Sequence, residues 1–358
     1  MRVEILTMDG GNGTLSASHA LRTVLEEKGA TCRVTDIMGE TNPIGSLLSG
    51  TYNRLLSRDI GLASAYMRFA HAFPPNRLGP FNDLSRGRLV HLLRTAGPDV
   101  LVLVCPWISG MVFSALDSMG DVGRPKVAVV VVDLGRGVTR SWLDPRADLT
   151  VLPTEESAGY LLGGGRAGVR AEVIGMPVHP QFFIDVPSRE EARARLGLAG
   201  PVVTVLGGRE GGMSNLRLLE ALHGSCPGNS LVIQCGKNAR LLRKARGFDG
   251  VTAIGFVPSM RDLMLASDVV VTKPGALTLT ELITLHANFI VSTYPAIMPQ
   301  ERGNVELVRE HGLAPVCPDP EQLPDIVRSR LARGRPEATF DLAATERIAE
   351  SILGLVGR

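Results

Sequence analysis

Two rhythms alternate along the chain. Short β-branched apolar runs recur at Val3–Met8, Cys32–Ile37, Val100–Val104, Val127–Val132 and Leu149–Leu152, then at Val202–Leu206, Leu231–Gln234, Val251–Ile254, Val269–Thr272 and Phe289–Ser292. Between them the apolar positions take helical spacing, as in Leu15, Ala20, Leu21, Val24 and Leu25. Strand–helix alternation of this kind predicts parallel sheets covered by helices on both faces. The strands could form one large sheet, but Pro177, Pro180 and Pro187 interrupt the rhythm before Ser188. A proline-rich break of that sort marks a domain boundary. The expected fold class is therefore α/β, with an N-terminal Rossmann-like domain over 1–180 and a C-terminal one over 181–340. A last helical pattern, Asp341–Leu355, follows the polar stretch Arg333–Glu337, and the segment 341–358 is expected to pack back on the first domain. Parallel sheets bind ligands at their strand carboxyl ends, and two such domains face to face would enclose a central cleft.

Composition narrows the classes. The length of 358 residues suits two cores better than one. Apolar residues at 44% and charged residues at 21% are those of a folded chain. A net charge of +2 supplies no global field, so no nucleic-acid partner is expected. No apolar run reaches the roughly 18 residues of a membrane span, and the chain enters a strand at once without a basic leader. Those features lead to an expected cytoplasmic location. Cys32, Cys105, Cys226, Cys235 and Cys317 are odd in number and never spaced as CxxC, so reduced thiols are expected and no zinc site.

Candidate chemistry gathers in glycine-rich turns. Asp9-Gly10-Gly11-Asn12-Gly13-Thr14 joins the first strand to an amphipathic helix, where backbone N–H groups can approach a ligand or simply close a tight turn. Gly11-x-Gly13-x-x-Ser16 followed by Asp36 also approximates a dinucleotide fingerprint, with Ser in place of the third small residue. His19 shares the polar helix face with Arg22 and Glu26, as a solvated histidine would.

In the second half, Lys273-Pro274-Gly275-Ala276-Leu277-Thr278 leaves a strand and opens a helix, offering free N–H groups and a positive dipole end to a phosphate. Glu281 would then reach a ribose diol, or it would close a capping box with Thr278, the pattern that Ser188 and Glu191 also fit. A second turn, Gly207-Gly208-Arg209-Glu210-Gly211-Gly212, doubles the anion-ready backbone and favours a diphosphate ligand. Gln300, Glu301 and Asn304 cluster at a further helix start, where they suit sugar hydroxyls or an ordinary exposed helix end.

These residues carry a resemblance. Gly11-Asn12-Gly13, Thr41-Asn42-Pro43-Ile44, Gly175-Met176-Pro177-Val178, Cys235-Gly236-Lys237-Asn238, Gly255-Phe256-Val257, Thr272-Lys273-Pro274-Gly275 through Glu281, and Pro299-Gln300-Glu301 through Asn304 occur in order over nearly the whole chain. In them the chain resembles the monogalactosyldiacylglycerol synthases and the bacterial processive diacylglycerol glucosyltransferases, and more distantly the peptidoglycan N-acetylglucosaminyltransferase. The resemblance implies a GT-B fold and an inverting transfer from a UDP-sugar, used as donor substrate with no separate cofactor. It further implies that Phe256 and Val257 border the uracil, that Gly275, Ala276, Leu277 and Thr278 meet the diphosphate, that Glu281 meets the ribose, and that Gln300, Glu301 and Asn304 address the sugar; Gly208 joins the donor-binding candidates through its place in the second anion-ready turn. Gly11, Asn12, Gly13 and Thr14 would form the acceptor loop.

The departures lie on the acceptor side. The relatives' glycine loop ends in His, here Thr14, and their Asp–His–Trp–His pattern keeps only Asp133 and Trp142, with Asp144 at the second His. Asp133, at a strand end, and Asp9 become the candidate catalytic carboxylates, with a structural cap the alternative for Asp133. No metal site is expected. The segment Ile44–Phe73 mixes apolar residues with Tyr52, Arg54, Arg58, Tyr66 and Arg68, and reads as a core-facing helix pair or an interfacial one that would give peripheral membrane contact. The acceptor is a lipid or a soluble natural product, and the lost imidazoles tilt the expectation to the second. A sugar-nucleotide epimerase, a nicotinamide oxidoreductase and a non-catalytic nucleotide-sugar binder are the rival classes.

Overall fold

The structure is a computed structural model that describes residues 1–10, 13–74, 77–120, 123–163, 168–225, 228–257, 259–334 and 342–357. Its strands are β1 (Arg2–Thr7), β2 (Thr31–Asp36), β3 (Val100–Leu103), β4 (Lys126–Val130), β5 (Leu149–Leu152), β6 (Ala171–Val173), β7 (Val202–Leu206), β8 (Ser230–Gln234), β9 (Val251–Ile254), β10 (Val269–Thr272), β11 (Phe289–Ser292) and β12 (Val316–Cys317). They form two six-stranded sheets, ordered β2-β1-β3-β4-β5-β6 and β12-β11-β10-β7-β8-β9. Each neighbouring pair is parallel, in register from Val3 opposite Val100 to Leu206 opposite Gln234. The two-Rossmann architecture read from the strand–helix rhythm is the one observed.

The central strands β3, β7, β10 and β11 are buried along their whole length. That is why they read as unbroken apolar runs. The edge strands β6 and β12 were not foreseen: one is a half-exposed Ala-Glu-Val and the other only two residues long.

The chain divides into two compact units, one of Met1–Tyr52, Tyr66–Pro180 and Leu342–Arg358, the other of Asn53–Ala65 and Gln181–Asp341. This differs from a single cut after 180 by the segment Asn53–Ala65. It spans the end of the helix Pro43–Arg58 and the start of the helix Ile60–Ala72.

The terminal helix Thr345–Leu353 lies in the first unit. Met176 and Ala343 form a parallel bridge, Thr345 Oγ1 accepts from the Val178 N–H at 2.8 Å, and Lys28 meets Glu350 at 2.9 Å. In the second unit Val203, Val205, Ile233, Val269, Val271 and Ile290 form the centre of the apolar core.

The segment 44–73 is a helix pair, but the core-facing expectation fails for its first helix. Only Gly45 is buried in Pro43–Arg58. Ile44, Leu47, Phe69 and Phe73 are 51%, 66%, 65% and 61% exposed, with the two Phe rings 5.1 Å apart. Asn42 anchors the base of the pair. Its Oδ1 accepts from the Gly45 N–H at 2.9 Å, and its Nδ2 donates to Phe81 O at 3.2 Å and Ser85 Oγ at 2.8 Å.

Candidate functional site

In the second unit the chain reverses its direction across the sheet between β7 and β10. Ligands of open α/β sheets bind at such a switch point, outside the strand carboxyl ends. The turns that flank it are the two singled out by their glycines, Gly207–Gly212 after β7 and Lys273–Gly275 after β10.

The first turn interlocks with the one after β8. Gly211 has φ +62, and a Cβ there would lie 1.9 Å from Cys235 O. Lys237 N–H donates to Arg209 O at 2.7 Å, and Asn238 Nδ2 to Gly211 O at 2.6 Å. Gly208, at φ +68, has open space where its side chain would be, so its backbone is accessible. Two contacts that spacing did not show come from the segment Asn53–Ala65. Ser57 O accepts from Asn238 Nδ2 at 3.2 Å, and Ser64 Oγ donates to Ile297 O at 3.0 Å.

After β10 the helix Ala276–Thr284 is capped by Gly275 with no side-chain cap. The first helical bond is Leu279 N–H to Gly275 O. The N–H groups of Ala276, Leu277 and Thr278 thus have no partner among the described residues, as at any uncapped helix start.

This corrects the capping-box alternative. Thr278 and Glu281 lie inside the helix rather than astride its start, because Pro274-Gly275 already begins it. The same pattern does close at Ser188, whose Oγ accepts from Glu191 N–H at 3.2 Å while Glu191 Oε2 accepts from Ser188 N–H at 2.7 Å. Glu281 is left half-buried, with no hydrogen bond or ion pair to its carboxylate among the described residues. Desolvation pushes its pKa from 4.5 up to about 8.

Glu301 is buried and fully engaged. Its Oε1 receives Lys273 Nζ at 2.6 Å and its Oε2 the Met298 N–H at 3.0 Å. Asn304 Nδ2 donates to Pro274 O at 2.8 Å. These contacts lash the turn after β11 to the turn after β10, a positioning role that the sequence reading did not assign to Glu301 or Asn304. Asn304 Oδ1 and Gln300 Oε1 are buried oxygens without a partner among the described residues. Buried oxygens of this kind are acceptors that can take a hydroxyl donor. Phe256 is 48% exposed, and Lys237 Nζ stands 5.7 Å from its ring centroid. Val257 is half-buried.

In the first unit the switch point falls between β1 and β3. Gly11 and Asn12 lie outside the described residues. Gly13 opens the helix Gly13–Glu27, and Thr14 Oγ1 donates to Met8 O at 3.1 Å, closing the turn. Asp9 is half-buried and engaged by neighbours. Asp133 lies beyond the end of β4, and its Oδ2 accepts from the buried Trp142 indole at 2.9 Å.

Asp144 is committed elsewhere. It pairs with Arg146 at 2.9 and 2.8 Å, and that guanidinium also meets Asp117 at 3.1 Å and covers the Phe113 ring at 4.4 Å. Asp36, which a dinucleotide would need for its ribose, instead caps the helix Ile37–Thr41 through Gly39 N–H at 3.2 Å. His19 is exposed, as its helix face implied.

Comparison with known proteins bears on both halves. The family model for monogalactosyldiacylglycerol (MGDG) synthase matches residues 15–178, and that for the glycosyltransferase family 28 C-terminal domain matches residues 202–352. A probable chloroplastic monogalactosyldiacylglycerol synthase of Nicotiana tabacum is 27% identical over 95% of this chain and 69% of its own length. The processive diacylglycerol beta-glucosyltransferase of Bacillus pumilus is 25% identical over 92% of this chain and 86% of its own. Among solved structures, Acinetobacter baumannii MurG matches with a TM-score of 0.60 at 15% identity over 99% of both chains. Glycosyltransferase VinC, in complex with dTDP, matches at 0.58 and 16% over the full length of both. At such identities the structural likeness is one of fold.

Proposed function

The chain is a glycosyltransferase of the GT-B fold, similar along its length to the MGDG synthases and the bacterial diacylglycerol glucosyltransferases, and from that premise we propose that it moves a sugar, with inversion, from a UDP-sugar to the hydroxyl of a diacylglycerol-type lipid. The observation that carries the donor half is the pairing of a free helix N-terminus, Ala276 to Thr278, with the unpartnered Glu281 carboxylate one turn further on. A diphosphate suits the N–H groups and a ribose diol suits the carboxylate.

In the proposed reaction the acceptor oxygen forms a bond to C1 of the sugar as the bond from C1 to the β-phosphate oxygen breaks, and UDP departs with the electron pair. The charge that develops on the diphosphate meets preorganised dipoles at Gly275 to Thr278, the open backbone at Gly208 and the Lys273 ammonium. Phe256 and Val257 border the uracil. Gln300 and Asn304 offer acceptor oxygens to the sugar hydroxyls. Glu301 holds Lys273 in place.

The lean toward a soluble acceptor gives way here. The relatives along the acceptor half are named for diacylglycerol. In the first unit Ile44, Leu47, Phe69 and Phe73 are exposed, as is Arg68, a combination of apolar side chains and positive charge suited to an anionic membrane interface. Peripheral attachment follows from that reading. Among the described residues no helix is long and apolar enough to cross a membrane.

A thermal-shift titration tests the donor assignment. UDP at a hundredfold excess over its Kd adds about 2.7 kcal/mol to stability. Stabilisation by NADH and none by UDP would overturn it.

A further inference from the structure

We propose that His71 takes the proton from the acceptor hydroxyl; the inference rests on the glycosyl-transfer reading above and assigns the base that reading lacks. A hydroxyl that attacks C1 must lose a proton, and the titratable groups at the carboxyl ends of β1 to β4 are mostly committed. Asp36 caps a helix, Asp144 is locked to Arg146, Asp133 is held by the Trp142 indole and Asp9 is engaged by neighbours. Cys105 is buried, and its thiol is pushed up to about 12, so it stays protonated.

Among the described residues His71 is the group that remains. It lies in the last turn of the helix Ile60–Ala72, and its ring stands 5.4 Å from that of Trp107, tilted by 53°. Trp107 is buried in the turn that follows β3, at the switch point of the sheet. The imidazole thus packs on the turn that follows β3, in the unit whose sequence matches the MGDG synthase model. Neither ring nitrogen has a hydrogen-bond partner among the described residues. Packing against Trp107 alone would be served as well by a phenyl ring, which carries no polar atoms to desolvate. Burial lowers the pKa of His71 from 6.5, and no charged neighbour contributes to that shift. The ring is therefore neutral at pH 7, the form that accepts a proton. In the proposed step the acceptor O–H bond breaks as its oxygen bonds to C1, and the proton passes to the free ring nitrogen. Imidazolium and UDP are the products beside the glycolipid, and bulk water restores the neutral ring.

His71→Phe retains the ring contact and removes the base. With UDP-glucose or UDP-galactose and vesicles containing diacylglycerol, this variant should lose about 10²–10⁴ in kcat. Its donor KM and its stabilisation by UDP should stay as in the parent. His71→Ala should recover part of its turnover when free imidazole is added. A kcat for His71→Phe within fivefold of the parent, or no imidazole rescue, overturns the assignment.

A readout independent of turnover is the histidine C–H resonance missing from the spectrum of His71→Phe. It should move when dioctanoylglycerol is added to the UDP-loaded protein, and a resonance that ignores the acceptor counts against the role. If the parent transfers sugar to no acceptor, the glycosyl-transfer reading fails, while the resonance still decides whether His71 meets the hydroxyl.

Discussion

Lys273 Nζ lies 2.6 Å from Glu301 Oε1, joining turns that follow two adjacent strands of the second sheet. The pair is asymmetric: the Glu301 side chain is 5% exposed and that of Lys273 is 46%. The buried carboxylate is a fixed post, and the ammonium at its edge is free to face a diphosphate. Glu301→Gln keeps an acceptor for the Met298 N–H but removes the charge that holds Lys273. We expect UDP affinity to fall about tenfold, with a stability loss of about 1–3 kcal/mol for the weakened buried contact. Isothermal titration and melting curves separate the two effects. Full UDP affinity in the variant would reduce the pair to a stability contact.

Glu281 gives a prediction with a definite sign. Its folded pKa is raised from 4.5 to about 8, so the folded state binds more protons than the unfolded one between those values. Its contribution is undiminished below 4.5 and becomes a growing penalty as pH rises toward 8. Glu281→Gln removes that penalty and should raise the melting temperature of the ligand-free protein at pH 8, with little change at pH 4.5. UDP should bind the variant more weakly, because a charged acceptor for the ribose diol is replaced by an amide. In the parent, UDP binding at pH 7 should release a proton, seen as a heat that depends on the buffer's ionisation enthalpy. Unchanged UDP affinity and no proton release would make Glu281 a structural residue.

How much of this was legible in the sequence depends on the range of the interaction. The parallel sheets were, because buried strands such as Val100–Leu103 and Val269–Thr272 are apolar on both faces. The edge strand Val316–Cys317 was not, since two residues carry no periodicity. The Thr278–Glu281 spacing suggested a cap only because spacing cannot tell where a helix begins, and Gly275 had already begun it. Lys273–Glu301, Asn304–Pro274 and His71–Trp107 join residues from different turns. Such pairs exist only once the strand order is set, and no local pattern announces them.

Asp133 accepts the Trp142 indole N–H at 2.9 Å at the acceptor half's strand ends. Asp133→Asn should leave UDP binding intact and lower turnover about tenfold, as expected of a charge that orients the acceptor rather than takes its proton. Steady-state kinetics at saturating donor provide the check. A change under twofold would leave the carboxylate only as an anchor for Trp142.

Phe69 and Phe73 pack with ring centroids 5.1 Å apart and planes tilted by 40°, while 65% and 61% exposed. Replacing both with Ser should weaken binding to anionic vesicles by about 2–4 kcal/mol, from apolar area no longer inserted. Vesicle sedimentation reads this directly, and the melting temperature should hold because the rings cover little of the core. Equal sedimentation of parent and double variant would remove this surface from the membrane reading.

Transfer to a lipid hydroxyl is read by following labelled UDP-glucose or UDP-galactose with and without diacylglycerol in anionic vesicles. UDP release should depend on diacylglycerol, and label should appear in a glycosyl-diacylglycerol extracted into organic solvent. Conversion of the sugar nucleotide without any acceptor, or UDP binding with no labelled lipid at any diacylglycerol content, would contradict it.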